Sequence, residues 1–200
     1  MAVDFEKIDM YKKYLNTLQP ILDSYFEEQK EYICCKSGCA HCCEKGAYPF
    51  SEVEFIYLML GFLKLDSQVR EPILERIRTL KLEYEKAEKP KDFMYRCPFL
   101  GEDKMCTIYE FRGLICRTFG LIQKQNDGKT VMAFCRELGL NYAKVFDFET
   151  QKIDYEKVKE LGYKNIPQAY LIGLKNLMSK DFLGDNKLEF GEIKSLIDWL

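Results

Sequence analysis

The sequence has one histidine in 200 residues, and that scarcity bears first on catalysis. With His41 alone and no convincing Ser-His-Asp arrangement, conventional hydrolase chemistry has little support. Charge of one sign is missing too. A net charge of −2 and a pI near 5.7 argue against bulk electrostatic binding to nucleic acid or anionic membrane. The longest uncharged apolar run, Phe55 to Leu63, falls far short of the roughly 18–20 residues that a spanning helix needs. The opening Met-Ala-Val-Asp-Phe-Glu-Lys is mixed in charge and lacks an apolar signal core. Internal repeats, low-complexity tracts and flexible linkers are also missing. What remains is 47% hydrophobic and 31% charged, the profile of a soluble globular chain able to bury its own core. The expectation is a single domain over 1–200 in the cytoplasm, with no nucleic-acid or membrane partner.

Cysteine, by contrast, is abundant and clustered. Cys35, Cys39, Cys42 and Cys43 place four thiols within nine residues, and Cys97, Cys106, Cys116 and Cys135 form a second group; only Cys34 is left over. In a reducing compartment such a pattern reads as metal-binding or redox-active more readily than as disulfides. Soft metals and iron–sulfur clusters are commonly held by four thiolates. Cys39-x2-Cys42 has the spacing of a metal knuckle. Cys43 is harder to aim at the same ion, because neighbouring side chains in an extended segment diverge. The distal thiols are separated by eight, nine and eighteen residues, and structural zinc modules usually pair two tight knuckles. That tilts the reading slightly toward an iron–sulfur centre, of the 4Fe–4S kind, with zinc still open. Arg96, Arg117 and Arg136 each adjoin a distal thiol, and Arg112 lies four residues before Cys116. Their guanidiniums would offset the excess negative charge of a tetrathiolate centre, unless they are merely solvated surface charges.

The fold class expected is mainly α: a helical domain with cysteine-rich metal-binding loops and a small β-hairpin. Residues 4–30, within an N-terminal helical segment 1–34, repeat apolar side chains at helical spacing (Ile8, Tyr11, Leu15, Leu18, Ile21, Leu22, Tyr25), with Pro20 a break or kink. Ser51-Glu-Val-Glu54 reads as a capping box opening an apolar helix to about Leu65. An amphipathic helix follows from Ser67 to Glu88, ended by Lys89-Pro-Lys-Asp. Thr107-Ile-Tyr-Glu110 reads as a second capping box, for a short helix ending at Gly113. Segments 119–125 and 130–135 flank Asn126-Asp-Gly128-Lys, a hairpin signal. Residues 150–200 read as helices, over roughly 154–162, 167–180 and 190–200. Glu52, Glu54 and the other carboxylates are expected on solvated helix faces. The helical pair between the two cysteine groups could fold back and bring them together.

The order Cys35-x3-Cys39-x2-Cys42-Cys43, Cys97-Pro-Phe-Leu, Cys106-x-Ile-Tyr-Glu-x-Arg112 and Cys116-Arg-x-Phe resembles the CxxCxxCC cysteine-cluster family of bacteria and archaea. The resemblance covers residues 35–136. It implies a zinc- or iron-chelating domain whose biochemical role is generally unassigned. Two departures stand out: the first spacing is x3 where the family has x2, and Gly113 replaces the proline usual after the arginine. Neither removes a thiol. A similar cluster is associated with flagellin lysine N-methylases, which implies an enzymatic alternative. The triad Cys35-x3-Cys39-x2-Cys42 also matches radical S-adenosylmethionine enzymes. Those need a parallel α/β barrel, and this chain shows no train of alternating strands and helices. Three classes therefore stand: a structural or chelating metal domain through up to eight thiolates, a redox or electron-transfer protein, and a metal-dependent enzyme such as a protein N-methyltransferase.

Overall fold

The computed structural model describes residues 4–88, 93–184 and 186–200; the expected stop at Lys89-Pro-Lys-Asp lies outside them. In chain order the first half runs α1 (Phe5–Glu28), α2 (His41–Glu44), β1 (Pro49–Ser51), α3 (Glu52–Leu63), α4 (Ser67–Glu85) and α5 (Leu114–Thr118). Next come β2 (Ile122–Lys124), β3 (Thr130–Val131), β4 (Phe146–Asp147), β5 (Lys152–Ile153) and α6 (Tyr155–Glu160). The chain ends with β6 (Ala169–Tyr170), α7 (Leu174–Leu177), α8 (Lys180–Leu183), β7 (Ile193–Ser195) and α9 (Leu196–Trp199). Helix dominates, as the sequence predicts, and among the described residues the strands make only three small sheets. No helix among the described residues is long and apolar enough to cross a membrane.

Two compact units divide the chain, each assembled from separated stretches. The first comprises Met1–Lys12, Ser37–Arg117 and Lys187–Leu200. Its core is Phe50, Leu58, Phe62, Ile73, Ile77, Tyr95, Phe99 and Leu196 with their neighbours, the apolar faces of α3 and α4 meeting residues from the loops and the C-terminal turn. Ser51 caps α3 as expected, its hydroxyl accepting from Glu54 N while the Glu54 carboxylate accepts from Ser51 N. Strand β7 pairs antiparallel with β1, Phe50 opposite Lys194. Trp199 Nε1 then donates to the Phe50 carbonyl at 2.9 Å, and its ring stacks on Phe55. This anchors the C-terminal turn. Helix α3 approaches Phe111 at Gly61, where a Cβ would run into the Phe111 ring.

The second unit comprises Lys13–Lys36 and Thr118–Asn186. Leu15, Leu18 and Leu22 of α1 are buried, the Tyr14 hydroxyl donates to Leu177 O, and Tyr25 stacks on Tyr170. Strand β2 pairs antiparallel with β3 and parallel with β6. The hairpin stands where Asn126-Asp-Gly128 predicts it, with Gly128 at φ 83° and Gln125 N donating to Lys129 O. Pro20 lies inside α1 without ending it.

Three local expectations differ from the structure. Thr107 does not cap a helix; its hydroxyl donates instead to the Phe99 carbonyl at 2.9 Å, and only a 3-10 turn, Tyr109–Phe111, forms before α5. The helices expected over 167–180 and 190–200 are interrupted by β6 and β7, because β2 and β1 offer those segments backbone partners. Gly191, at positive φ, also turns the chain out of the helical region within the second of these segments. Glu54 is not solvated: it is 1% exposed.

Candidate metal centre

In the first unit the cysteine run is folded by its own backbone before any side chain is considered. Ala40 O accepts from Cys43 N and Glu44 N, closing the short helix α2 that carries Cys42 and Cys43. The chain then returns as an extended bridge: Gly46 N donates to Tyr95 O and Tyr95 N to Gly46 O. Cys97 N donates to Cys43 O at 2.8 Å, so the proximal and distal groups meet through main chain. The Tyr48 hydroxyl pins this junction, lying 3.1 Å from Cys42 O, 3.0 Å from Cys43 O and 3.2 Å from Tyr95 O.

The other two thiols arrive on the next turns of the chain. Cys106 bridges back to Leu100, with Gly101 N donating to Met105 O and Thr107 N to Phe99 O. Cys116 sits in the only full turn of α5. Cys97, Cys106 and Cys116 all pack against the α3–α4 core. Helix α5 is held at its start by Glu54, whose Oε1 accepts from Leu114 N at 2.7 Å.

Cys43, Cys97, Cys106 and Cys116 lie within electrostatic reach of one another. In every pair among them, the charge of one thiolate bears on the titration of the other. Burial is the first cause pushing Cys97 well above its ordinary value, followed by the Cys116 charge. Cys116 is pushed up to about 12 by burial and then by Cys43 and Cys106. Cys106 rises for the same first reason, opposed by the Ile108 amide. Cys43 goes the other way, lowered by its contact with the Cys42 thiol, the two sulfurs being 3.8 Å apart. Thiol protons thus keep most of the group neutral at pH 7. Among the described residues, no set of three or more His, Cys, Asp or Glu donors is already drawn in to metal-binding spacing. The couplings just described reach further than a metal–ligand shell does.

The remaining candidates take other places. Cys39 and Cys42 belong to the first unit and are half-buried; His41 is exposed. Cys35 and Cys135 belong to the second unit. There the buried Asn141 amide donates to Cys35 Sγ at 3.3 Å and to Gly120 O, while its carbonyl accepts from Cys34 N. Cys135 is buried within the 3-10 turn Phe134–Leu138. None of the nine cysteines forms a disulfide.

The four arginines separate in the same way. Arg112 lies over the Tyr109 ring at 3.6 Å and acts to lower both Cys106 and Cys116. Arg117 ties down carbonyls instead, donating to Arg112 O and Glu110 O. Arg96 pairs with Glu44 and Glu102. Arg136, in the second unit, lies over Phe146.

Sequence reasoning missed Tyr48 and Glu54 as supports of the thiol loops. A faint signal existed for Glu54, since a capping box already turns that carboxylate back along its helix. For Tyr48 no such signal is present.

A half-buried thiol group on a helical core, with backbone bridges joining its loops, defines a cysteine-cluster protein whose donors suit a soft metal. The family model that matches residues 34–136 is CxxCxxCC, described as "Putative zinc- or iron-chelating domain". The match spans half of the chain, and the chain belongs to that family. No curated protein and no solved structure matches the chain.

Proposed function

We propose that this protein chelates zinc or iron through Cys43, Cys97, Cys106 and Cys116. One observation carries the reading: these four thiols, from loops far apart in sequence, lie within electrostatic reach of one another in one unit. The donor set fits the metals that the family description names. Four thiolates satisfy tetrahedral zinc or iron, and equally an iron–sulfur cluster. A bound cation would take the place of the thiol protons that burial now retains. Four thiolates around a divalent ion leave two negative charges in excess. Arg112, near Cys106 and Cys116, is the guanidinium placed to offset them. Cys42, whose sulfur lies 3.8 Å from that of Cys43, would be a further donor for a multinuclear centre, with Cys39 a candidate by its spacing alone and Cys34 a spare.

The test is a serine series purified anaerobically, with zinc and iron measured per chain. Replacing Cys43, Cys97, Cys106 or Cys116 should each lower the metal load, whereas Cys34→Ser should leave it unchanged. Equal losses in Cys34→Ser and Cys116→Ser would contradict the assignment. Broad visible absorption that bleaches on reduction would assign an iron–sulfur centre and favour the redox role, and a colourless metal-loaded protein would assign zinc.

A further inference from the structure

The carboxylate of Glu54 spans two elements. Its Oε2 accepts from Ser51 N at 2.9 Å and from Ser51 Oγ at 2.6 Å, completing the cap of α3. Its Oε1 accepts from Leu114 N, sixty residues on, at the first position of α5. Helix α5 has only five residues, too few to be stable by itself. Its placement therefore depends on tertiary contacts. The backbone comes this close because residue 113 is glycine: a Cβ there would lie 2.6 Å from the Phe50 ring and 3.1 Å from Glu54 Oε1. Cys116 follows two residues after Leu114.

We infer that Glu54 is a positioning residue for Cys116, fixing the start of α5 against α3 so that this thiol faces Cys43, Cys97 and Cys106. The inference rests on the reading of Cys116 as a metal ligand. Only a carboxylate can accept on both sides. A glutamine at 54 has one acceptor oxygen and one NH2 group, so it must turn a donor toward either Ser51 N–H or Leu114 N–H. Supporting groups behind metal ligands are typically worth about 10–100-fold in metal affinity.

The experiment is zinc affinity by competition with a chromogenic chelator, on full-length reduced protein. Glu54→Gln should weaken zinc at least about tenfold. Glu52→Gln, on the same turn of α3 but paired with Lys7 at 3.6 Å, should stay within about twofold, as expected of a half-exposed ion pair. The loss should vanish in a Cys116→Ser background, because Glu54 then has no ligand left to aim; a purely structural role would leave the two losses additive. If Glu54→Gln does not fold by circular dichroism, Glu54→Asp takes its place, still charged but one methylene short of Leu114 N. Wild-type affinity in the Glu54 variant, or an undiminished loss in the Cys116→Ser background, would overturn the inference. Wild-type protein that takes up neither zinc nor iron would instead overturn the metal-centre reading, and this inference with it.

Discussion

Tyr48→Phe isolates the pin that joins the two cysteine loops, because it removes one oxygen and little else. The ring stays, with its edge-on contact to Tyr95 at 5.2 Å between centroids. What is lost is a single hydroxyl proton shared among the carbonyls of Cys42, Cys43 and Tyr95. Two of those carbonyls keep a backbone donor, Cys43 O from Cys97 N at 2.8 Å and Tyr95 O from Gly46 N at 3.0 Å. The cost is therefore nearer one net hydrogen bond than three, about 1 kcal/mol. For a chain of this length, that lowers the melting temperature by about 2–4 °C. The assay is thermal unfolding of reduced, metal-free protein followed by circular dichroism. An unchanged melting temperature would mean that the hydroxyl does not hold the junction. A fall above about 10 °C would mean that the loops depend on Tyr48 far more than its bonds account for.

Gly61→Ala should destabilise despite the better helix propensity of alanine. The added methyl meets the Phe111 ring, and overpacking of about 1–3 kcal/mol offsets a propensity gain of about 1 kcal/mol; a raised melting temperature would refute the close approach of α3 to Phe111. Stability of the metal-free protein should fall at alkaline pH. Cys97, Cys106 and Cys116 titrate above the ordinary thiol value of 9.0 when folded. Their contribution is thus complete below that value and lost as pH rises through the folded values, up to about 12 for Cys116. Urea midpoints at pH 8 and 10 should drop for stripped protein and much less for loaded protein; parallel curves would contradict the burial of these thiols.

The parts of this molecule that could be read from sequence are those in which a few neighbouring residues decide the outcome. Ser51 and Glu54 specify the start of α3 within one turn, and Asn126-Asp-Gly128 specifies its hairpin because only glycine sits easily at φ 83°. The clustering of thiols pointed to the cysteine-cluster family for the same reason, and the family match over residues 34–136 agrees with it. Thr107 misled because the Phe99 carbonyl takes its hydroxyl, a partner set by the fold of the 97–106 turn. The C-terminal helices were overdrawn because β6 and β7 obtain their partners from β2 and β1, far away along the chain. Glu54 was expected in solvent because its third bond, to Leu114 N, is invisible to any local pattern. The distribution of the nine thiols over two units depends on where the chain returns, which spacing alone does not encode.

Metal-edge X-ray absorption of the anaerobically purified protein reads the ligand shell of the metal itself. Ligation by Cys43, Cys97, Cys106 and Cys116 should give a first shell of four sulfurs at about 2.3 Å for zinc, with a second metal–metal shell appearing only if the centre is an iron–sulfur cluster. A first shell dominated by nitrogen or oxygen, or one holding fewer than three sulfurs, would contradict it.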